Sequence, residues 1–156
     1  MLKTLFLVRH AKSSWKHPEL EDSERPLNKR GTRDAPIMGQ RLLARSLVPD
    51  LIVSSPAVRA LTTAQLLAHE VGYSSPAIVV EDELYAASSQ DVLAIVSGLD
   101  DRIQVAHNPA ITELANWFSD APIENVPTCG ILNVEASEWH RIAAATFAGF
   151  DYPTER

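Results

Sequence analysis

The sequence predicts an α/β protein, a three-layer α/β/α sandwich around a mainly parallel central sheet. Short apolar runs rich in β-branched residues recur along the chain, and each one stops at a polar cluster. Longer segments with helical periodicity lie between these runs, which is the pattern of a parallel sheet covered by helices on both faces. The length of 156 residues suits one domain with one core. We therefore expect residues 1–156 to form a single domain.

Six runs are predicted as strands. Four of them fit the parallel series, namely TLFLV, DLIVSS, AIVVE and RIQVA. The last two, CGILNVEA and TFAGFDY, are separated by only a short connection. Because a short connection joins antiparallel strands more readily than parallel ones, we expect these two to pair antiparallel at one edge of the sheet.

Four helices are predicted between and after the strands. The first starts at an N-cap on Asn28 and reaches about residue 45, and Pro36 inside it predicts either a kink or a later start. The second covers residues 57–71, introduced by Pro56 and ended by Gly72. The other two are SQDVLAIVSGL and PAITELANWF.

Composition narrows the classes of partner and the location. A formal net charge of −6 argues against broad attraction to nucleic acid or to an anionic membrane. The single cysteine, Cys129, cannot form an internal disulfide. No apolar run approaches the ~20 residues of a spanning helix, and the apolar segment at the start is too short for a signal peptide. We expect a cytoplasmic protein with no nucleic-acid or membrane partner, and the oligomeric state is left open.

Arginines and histidines follow three of the predicted strands. Arg9 and His10 end the first, Arg59 lies in the first turn of the helix after the second, and His107 follows RIQVA. Each residue taken alone is more often a surface or structural group. Because loops and helix N-termini converge at the carboxyl edge of a parallel sheet, we expect the four to share one rim.

This combination favours an anion over a metal ion. No thiolate or carboxylate stands at ligand spacing beside His10 or His107, and guanidinium groups would repel a cation. Arginine binds phosphate oxygens in a bidentate manner. A neutral imidazole within such a cradle can attack phosphorus, and a second, cationic histidine can stabilise the transferring group. The residues thus predict phosphoryl transfer without a metal or other cofactor.

The motifs VRHAKSSW, SSPAVRALTTA and HNP, in this order, resemble those of the histidine phosphatase superfamily. The short chain is similar to its SixA-like phosphohistidine phosphatase branch, which implies a phosphoglycerate-mutase-like fold. The resemblance places the nucleophile on His10, with Arg9, Arg59 and His107 as its catalytic partners. The segment DSERPLNKRG implies that Arg25 also binds the phosphate. Two departures are alanines at positions 11 and 106, where glycine is common.

A general acid and the substrate are less defined by the sequence. The resemblance suggests a carboxylate after the third strand, for which Glu83 is the first candidate and Asp22 the second, although either can be a solvated loop charge. A phosphoramidate loses a protonated imidazole readily and needs no strong acid. Lys12 and Trp15 follow the nucleophile. They either form a rim that recognises the substrate, or Trp15 only packs against the loop and Lys12 is only a surface charge.

The short segment corresponding to residues 76–90 leaves no room for the cap domain of the mutases and acid phosphatases of the superfamily. An open site suits a phosphorylated protein side chain. The resemblance therefore implies a phosphohistidine phosphatase, with a protein as the expected substrate. The alternatives are a phosphatase for small phosphomonoesters or sugar phosphates and, from a different class, a phosphate-binding module without turnover.

Overall fold

A computed structural model of the chain describes residues 2–98, 102–106, 110–119 and 123–153. Its sheet has six strands in the order β3-β2-β4-β1-β5-β6. They are β1 (Lys3–Arg9), β2 (Ile52–Ser54), β3 (Val79–Val80), β4 (Arg102–Ala106), β5 (Ile131–Ala136) and β6 (Thr146–Asp151). β1 therefore lies in the interior of the sheet, hydrogen-bonded on both sides.

The sheet is mixed, so the prediction of a mainly parallel sheet is not confirmed. The strands β3, β2, β4 and β1 pair in parallel. β5 pairs antiparallel with β1, and β6 pairs antiparallel with β5. The antiparallel edge pair expected from the sequence is confirmed. The antiparallel pairing of β5 with the interior strand β1 was not foreseen, because local patterns do not encode the direction in which a distant strand returns.

Helices fill the predicted positions. They are α1 (Lys29–Ala44), α2 (Val58–Val71), α3 (Ser89–Ser97) and α4 (Ala110–Phe118). The Asn28 side chain caps α1 by accepting a hydrogen bond from the backbone N–H of Gly31 at 2.9 Å. A start later than Asn28 is therefore wrong, and the helix continues past Pro36 although that residue has no N–H to donate. Gly72 ends α2 in the left-handed region, with φ of 78°.

The two faces of the sheet carry separate apolar clusters. Along β1, Leu5 and Leu7 join residues of α3 and α4, whereas Phe6 and Val8 join residues of α1 and α2. This alternation follows from the two-residue period of a strand. It establishes the three layers, with α1 and α2 on one face and α3 and α4 on the other.

The segment that joins β3 to α3 is short. Residues 81–88 contain one 3-10 turn, Asp82–Leu84, so no cap domain lies between these elements. In the parts of the chain that the structure describes, no helix combines the length and the apolar character needed to cross a membrane.

Candidate active site

The end of β1 holds Arg9 and His10 on a rigid backbone. The four residues before them, 5–8, are buried. The N–H of Arg9 donates to the carbonyl of Gly130 at 3.0 Å, and the N–H of Cys129 donates to the carbonyl of His10 at 3.0 Å. His10 thus leaves the sheet with its main chain fixed on the side of β5.

The His10 ring is held in one tautomer. The side chain is buried, and Nδ1 lies 2.8 Å from the carbonyl oxygen of Ala11. A carbonyl oxygen only accepts, so Nδ1 must carry the proton in this contact. In the neutral ring the lone pair is then on Nε2. This is the state that a nitrogen nucleophile requires.

The three predicted phosphate-binding arginines, Arg9, Arg25 and Arg59, line one cavity of about 260 Å³ together with His10. The other lining residues are Lys12, Ser13, Trp15 and Thr128. No carboxylate is among the described residues that line it. Three guanidinium groups and one ammonium group, against the one Asp22 carboxylate that pairs with Arg25 and Arg59, leave a positive site in a protein whose net charge is −6. Such a site selects an anion.

Arg9 is partly buried and incompletely paired. Its Nη1 donates to the carbonyl oxygen of Val126 at 2.7 Å, while its buried Nε has no hydrogen-bond partner among the residues that the structure describes. Burial lowers the pKa of the Arg9 guanidinium. Because an unpaired buried donor is costly, an oxyanion that accepts from this guanidinium would stabilise the site.

Arg25 is fixed by the loop that follows His10. Its Nε donates to the carbonyl of Ser14 at 3.2 Å, and its Nη2 donates to Ser13 Oγ at 2.6 Å. The guanidinium carbon lies 3.3 Å from the centre of the Trp15 ring, a cation–π contact. The loop itself is pinned because the N–H of Ser14 donates to the carbonyl of Pro26 at 2.8 Å.

Arg59 projects from the first turn of α2 and pairs with Asp22. Its Nη2 donates to Asp22 Oδ2 at 2.9 Å, and its Nη1 donates to the backbone carbonyl of Asp22. Asp22 also accepts from Arg25 Nη1 at 3.2 Å and from the Tyr85 hydroxyl at 2.7 Å. The Tyr85 hydrogen bond, followed by Arg59 and Arg25, lowers the pKa of Asp22 to about 2.

The two general-acid candidates lie in different surroundings. Asp22 is ionised at neutral pH, so in this arrangement it has no proton to donate. Glu83 is exposed and lines a separate cavity of about 480 Å³ with Asp91, Ala94 and Ile95. It is not among the residues that line the cavity of His10.

The prediction for His107 lies outside the described residues. β4 ends at Ala106, whose partner in the parallel register is Arg9, so β4 and β1 end at the same edge of the sheet. That placement agrees with the convergence of strand ends from which the shared rim was predicted. The role of His107 stays a prediction.

Two residues that our sequence reasoning missed support the site. Thr63 is fully buried in α2; its Oγ1 accepts from the N–H of Ala11 at 2.9 Å and donates to the carbonyl of Arg59 at 2.7 Å. It thereby connects the loop after His10 to the helix of Arg59. Its spacing of four residues from Arg59 within SSPAVRALTTA was a usable signal. Tyr85 had none, because its contact with Asp22 spans 63 residues.

No group of three or more His, Cys, Asp or Glu residues in the described part of the chain is arranged to hold a metal ion. The charged side chains that line the cavity with His10 are all cationic, namely Arg9, Lys12, Arg25 and Arg59. These residues fit an anionic group and offer no ligand set for a metal.

Two curated relatives match most of this chain. An uncharacterised protein of Mycobacterium tuberculosis (strain ATCC 25618 / H37Rv) is 32% identical over 164 residues, covering 94% of this chain and 99% of that protein. An uncharacterised chloroplastic protein of Arabidopsis thaliana is 30% identical over 161 residues, covering 94% of this chain and 73% of that protein.

Solved structures share the fold. The "putative phosphohistidine phosphatase SixA" of Agrobacterium tumefaciens has a TM-score of 0.82 and 28% identity, covering 97% of this chain and 98% of that one. The protein histidine phosphatase SixA complexed with tungstate has a TM-score of 0.80 and 20% identity, covering 96% of each chain. At this identity the match supports a shared fold only. The sequence model of the histidine phosphatase superfamily (branch 1) matches residues 5–87, more than half of the chain. The chain belongs to the histidine phosphatase superfamily.

Proposed function

We propose that the protein is a metal-independent phosphatase that hydrolyses phosphohistidine, with a phosphorylated protein as substrate, through a covalent phosphohistidine on His10. The observation that carries this proposal is the ring of His10. Its Nδ1 is committed to the Ala11 carbonyl, and the ring shares a small cavity with Arg9, Arg25 and Arg59. A neutral imidazole among phosphate-binding guanidinium groups is suited to attack phosphorus.

In the proposed reaction the lone pair of His10 Nε2 forms a bond to phosphorus while the bond from phosphorus to the substrate imidazole breaks. The leaving imidazole keeps the electron pair of the broken bond and departs neutral if its ring was protonated beforehand. Water then attacks the phosphoryl group on His10, the bond to Nε2 breaks, and inorganic phosphate leaves. The proton released by water goes to solvent or to a basic group of the site.

The arginines neutralise the phosphoryl oxygens throughout both steps. Arg9 lies at the end of β1, and Arg59 lies in the first turn of α2. Arg25 is fixed by three contacts with the loop after His10. Rigid donors around the position where charge develops stabilise a transition state without reorganisation. His107 is proposed as the second histidine that shares this charge.

Neither general-acid candidate is in a position and a protonation state to donate a proton, which suits an imidazole leaving group. Asp22 is ionised, and Glu83 faces another cavity. An alkoxide leaving group needs a proton in the transition state, whereas a protonated imidazole does not. This contrast favours phosphohistidine over phosphomonoesters. The open site without a cap and the 28% identity to the Agrobacterium tumefaciens protein support the same substrate class.

The cytoplasm is the location that we propose. The single cysteine is buried and forms no disulfide, which suits a reducing compartment. One relative carries a chloroplastic name.

Turnover of two matched peptides tests the proposal. We expect wild-type protein to hydrolyse a phosphohistidine peptide with a kcat/KM at least about tenfold above that for a phosphoserine peptide of the same sequence. Arg59→Ala should lower kcat/KM for the phosphohistidine peptide about a hundredfold or more. Arg33→Ala, which removes an exposed arginine of α1, should not change it.

Two results would overturn the proposal in different ways. A preference for the phosphoserine peptide would indicate a phosphomonoesterase. Binding of inorganic phosphate with no turnover of either peptide would indicate a phosphate-binding module.

A further inference from the structure

Trp15 is placed unusually for so large an apolar side chain. It is 75% exposed, the highest value among the large apolar side chains in the described residues, yet it lines the cavity of His10. Leaving an indole in water forgoes the apolar burial that a tryptophan ordinarily gains on folding. Exposed aromatic rings at the mouth of a site are typical of ligand contact.

The backbone beneath Trp15 is rigid. The preceding residues Ser13 and Ser14 are buried, and Ser14 pairs with Pro26 through its N–H. On the other side, the hydroxyl of Ser14 accepts from the N–H of Lys16 at 3.1 Å. The exposure of the indole is therefore not that of a side chain on a loosely held loop.

Arg25 covers one face of the indole. Its guanidinium carbon lies 3.3 Å from the ring centre, and the Arg25 side chain is itself bonded to Ser13, Ser14 and Asp22. The cation–π contact fixes the plane of the ring beside a predicted phosphate ligand. Because Arg25 covers one face and the residue is still 75% exposed, we take the opposite face as the one that solvent reaches.

We propose that this open face of Trp15 stacks against the ring that carries the phosphoryl group, so that the rim selects phosphoryl groups attached to a planar ring, such as imidazole, over those attached to an alkyl chain. This inference rests on the proposed function, because it assumes that the phosphoryl group lies among Arg9, Arg25 and Arg59. Stacking of two planar rings contributes beyond simple area burial. Trp15 thereby acts as a specificity residue, while the arginines bind the phosphoryl group itself.

Binding of two phosphonates tests the stacking face without requiring turnover. Phenylphosphonate and methylphosphonate present the same charged group, one with a ring and one without. We expect wild-type protein, titrated by calorimetry, to bind phenylphosphonate more tightly. Trp15→Ala should weaken phenylphosphonate binding about tenfold and change methylphosphonate binding by less than about twofold. Trp15→Phe retains a ring and should keep most of the preference.

Trp117→Ala is the matched control. Trp117 is also an exposed tryptophan, at 64%, but lies on α4 and is not among the residues that line the cavity. This variant should retain the wild-type preference. Thermal unfolding of each variant shows whether the fold is kept.

Two results would overturn the inference. One is an equal loss of both phosphonates in Trp15→Ala, which would mean that Trp15 acts only by holding Arg25. The other is a Trp15→Ala variant that prefers phenylphosphonate over methylphosphonate as strongly as wild-type protein does. Failure of the proposed function is read separately, from the absence of phosphohistidine turnover in wild-type protein. The ring preference in binding can stand or fall independently of that result.

Discussion

Thr63→Val removes the connection between the nucleophile loop and the helix of Arg59 while keeping the β-branched shape. Thr63 and Ala11 are both fully buried, so the N–H of Ala11 is left without its acceptor and no water replaces it. An unsatisfied buried group costs about 1–3 kcal/mol. We expect a loss of about 2 kcal/mol in the free energy of unfolding, or a fall in Tm of about 4–8 °C for a chain of this size.

Activity should fall more than stability suggests. Ala11 supplies both the N–H that Thr63 holds and the carbonyl that fixes the His10 tautomer. A small displacement of this residue moves the nucleophile relative to Arg59, and misplacement by about 1 Å can cost about a hundredfold in rate. We expect kcat to fall about tenfold or more in Thr63→Val and to be largely retained in Thr63→Ser, which keeps the hydroxyl.

Urea unfolding and steady-state kinetics on both variants measure these effects. Thr32→Val is the control, because the Thr32 hydroxyl donates to the Asn28 carbonyl on the exposed side of α1, where water can replace it. It should change stability by less than about 0.5 kcal/mol. If Thr63→Val matches this control in stability and keeps full kcat, the positioning role assigned to Thr63 is refuted.

Three further predictions concern packing, titration and reactivity. Gly31→Ala would place a Cβ in a clash with the backbone carbonyl oxygen of Lys12, so urea unfolding should show a loss of about 1–3 kcal/mol. Gly98→Ala, with its nearest contact at 3.8 Å, should be near neutral. The Asp22 pKa is lowered from 3.8 to about 2, so its contribution to stability is present above pH 3.8 and lost as pH falls through about 2. Tyr85→Phe should raise the Asp22 pKa, as measured by carboxyl NMR titration. An unchanged pKa would contradict the role of the Tyr85 hydroxyl. Burial, with a smaller effect of a nearby carboxylate, raises the pKa of Cys129 to about 12, so iodoacetamide should label the native thiol at least about a thousandfold more slowly than the unfolded one, and comparable rates would refute its burial.

Local patterns were sufficient for the elements that carry the nucleophile. The apolar run before Arg9 predicted β1, and the caps at Asn28 and Gly72 predicted a start and an end of helices that the structure confirms. These features depend on residues within one strand or one helical turn. Short stretches of sequence are therefore sufficient to predict them.

Long-range contacts were beyond such patterns. The antiparallel return of β5 beside β1 depends on how distant segments pack, and the pairing of Arg59 with Asp22 joins residues 37 positions apart. Asp22 was considered as a proton donor or a solvated loop charge, because its contacts with Arg59 and Tyr85 join residues 37 and 63 positions apart. The sequence supplied the residue types at the site, and the fold determines which of them are paired.

The covalent intermediate on His10 tests the central claim most directly. Protein mixed briefly with a labelled phosphohistidine substrate and quenched in base should carry phosphate on His10, because phosphohistidine survives base and is lost in acid. His10→Ala should show neither label nor turnover, while His69→Ala, which changes an exposed histidine of α2, should show both. Wild-type turnover without base-stable phosphate on His10, or full activity in His10→Ala, would contradict the account.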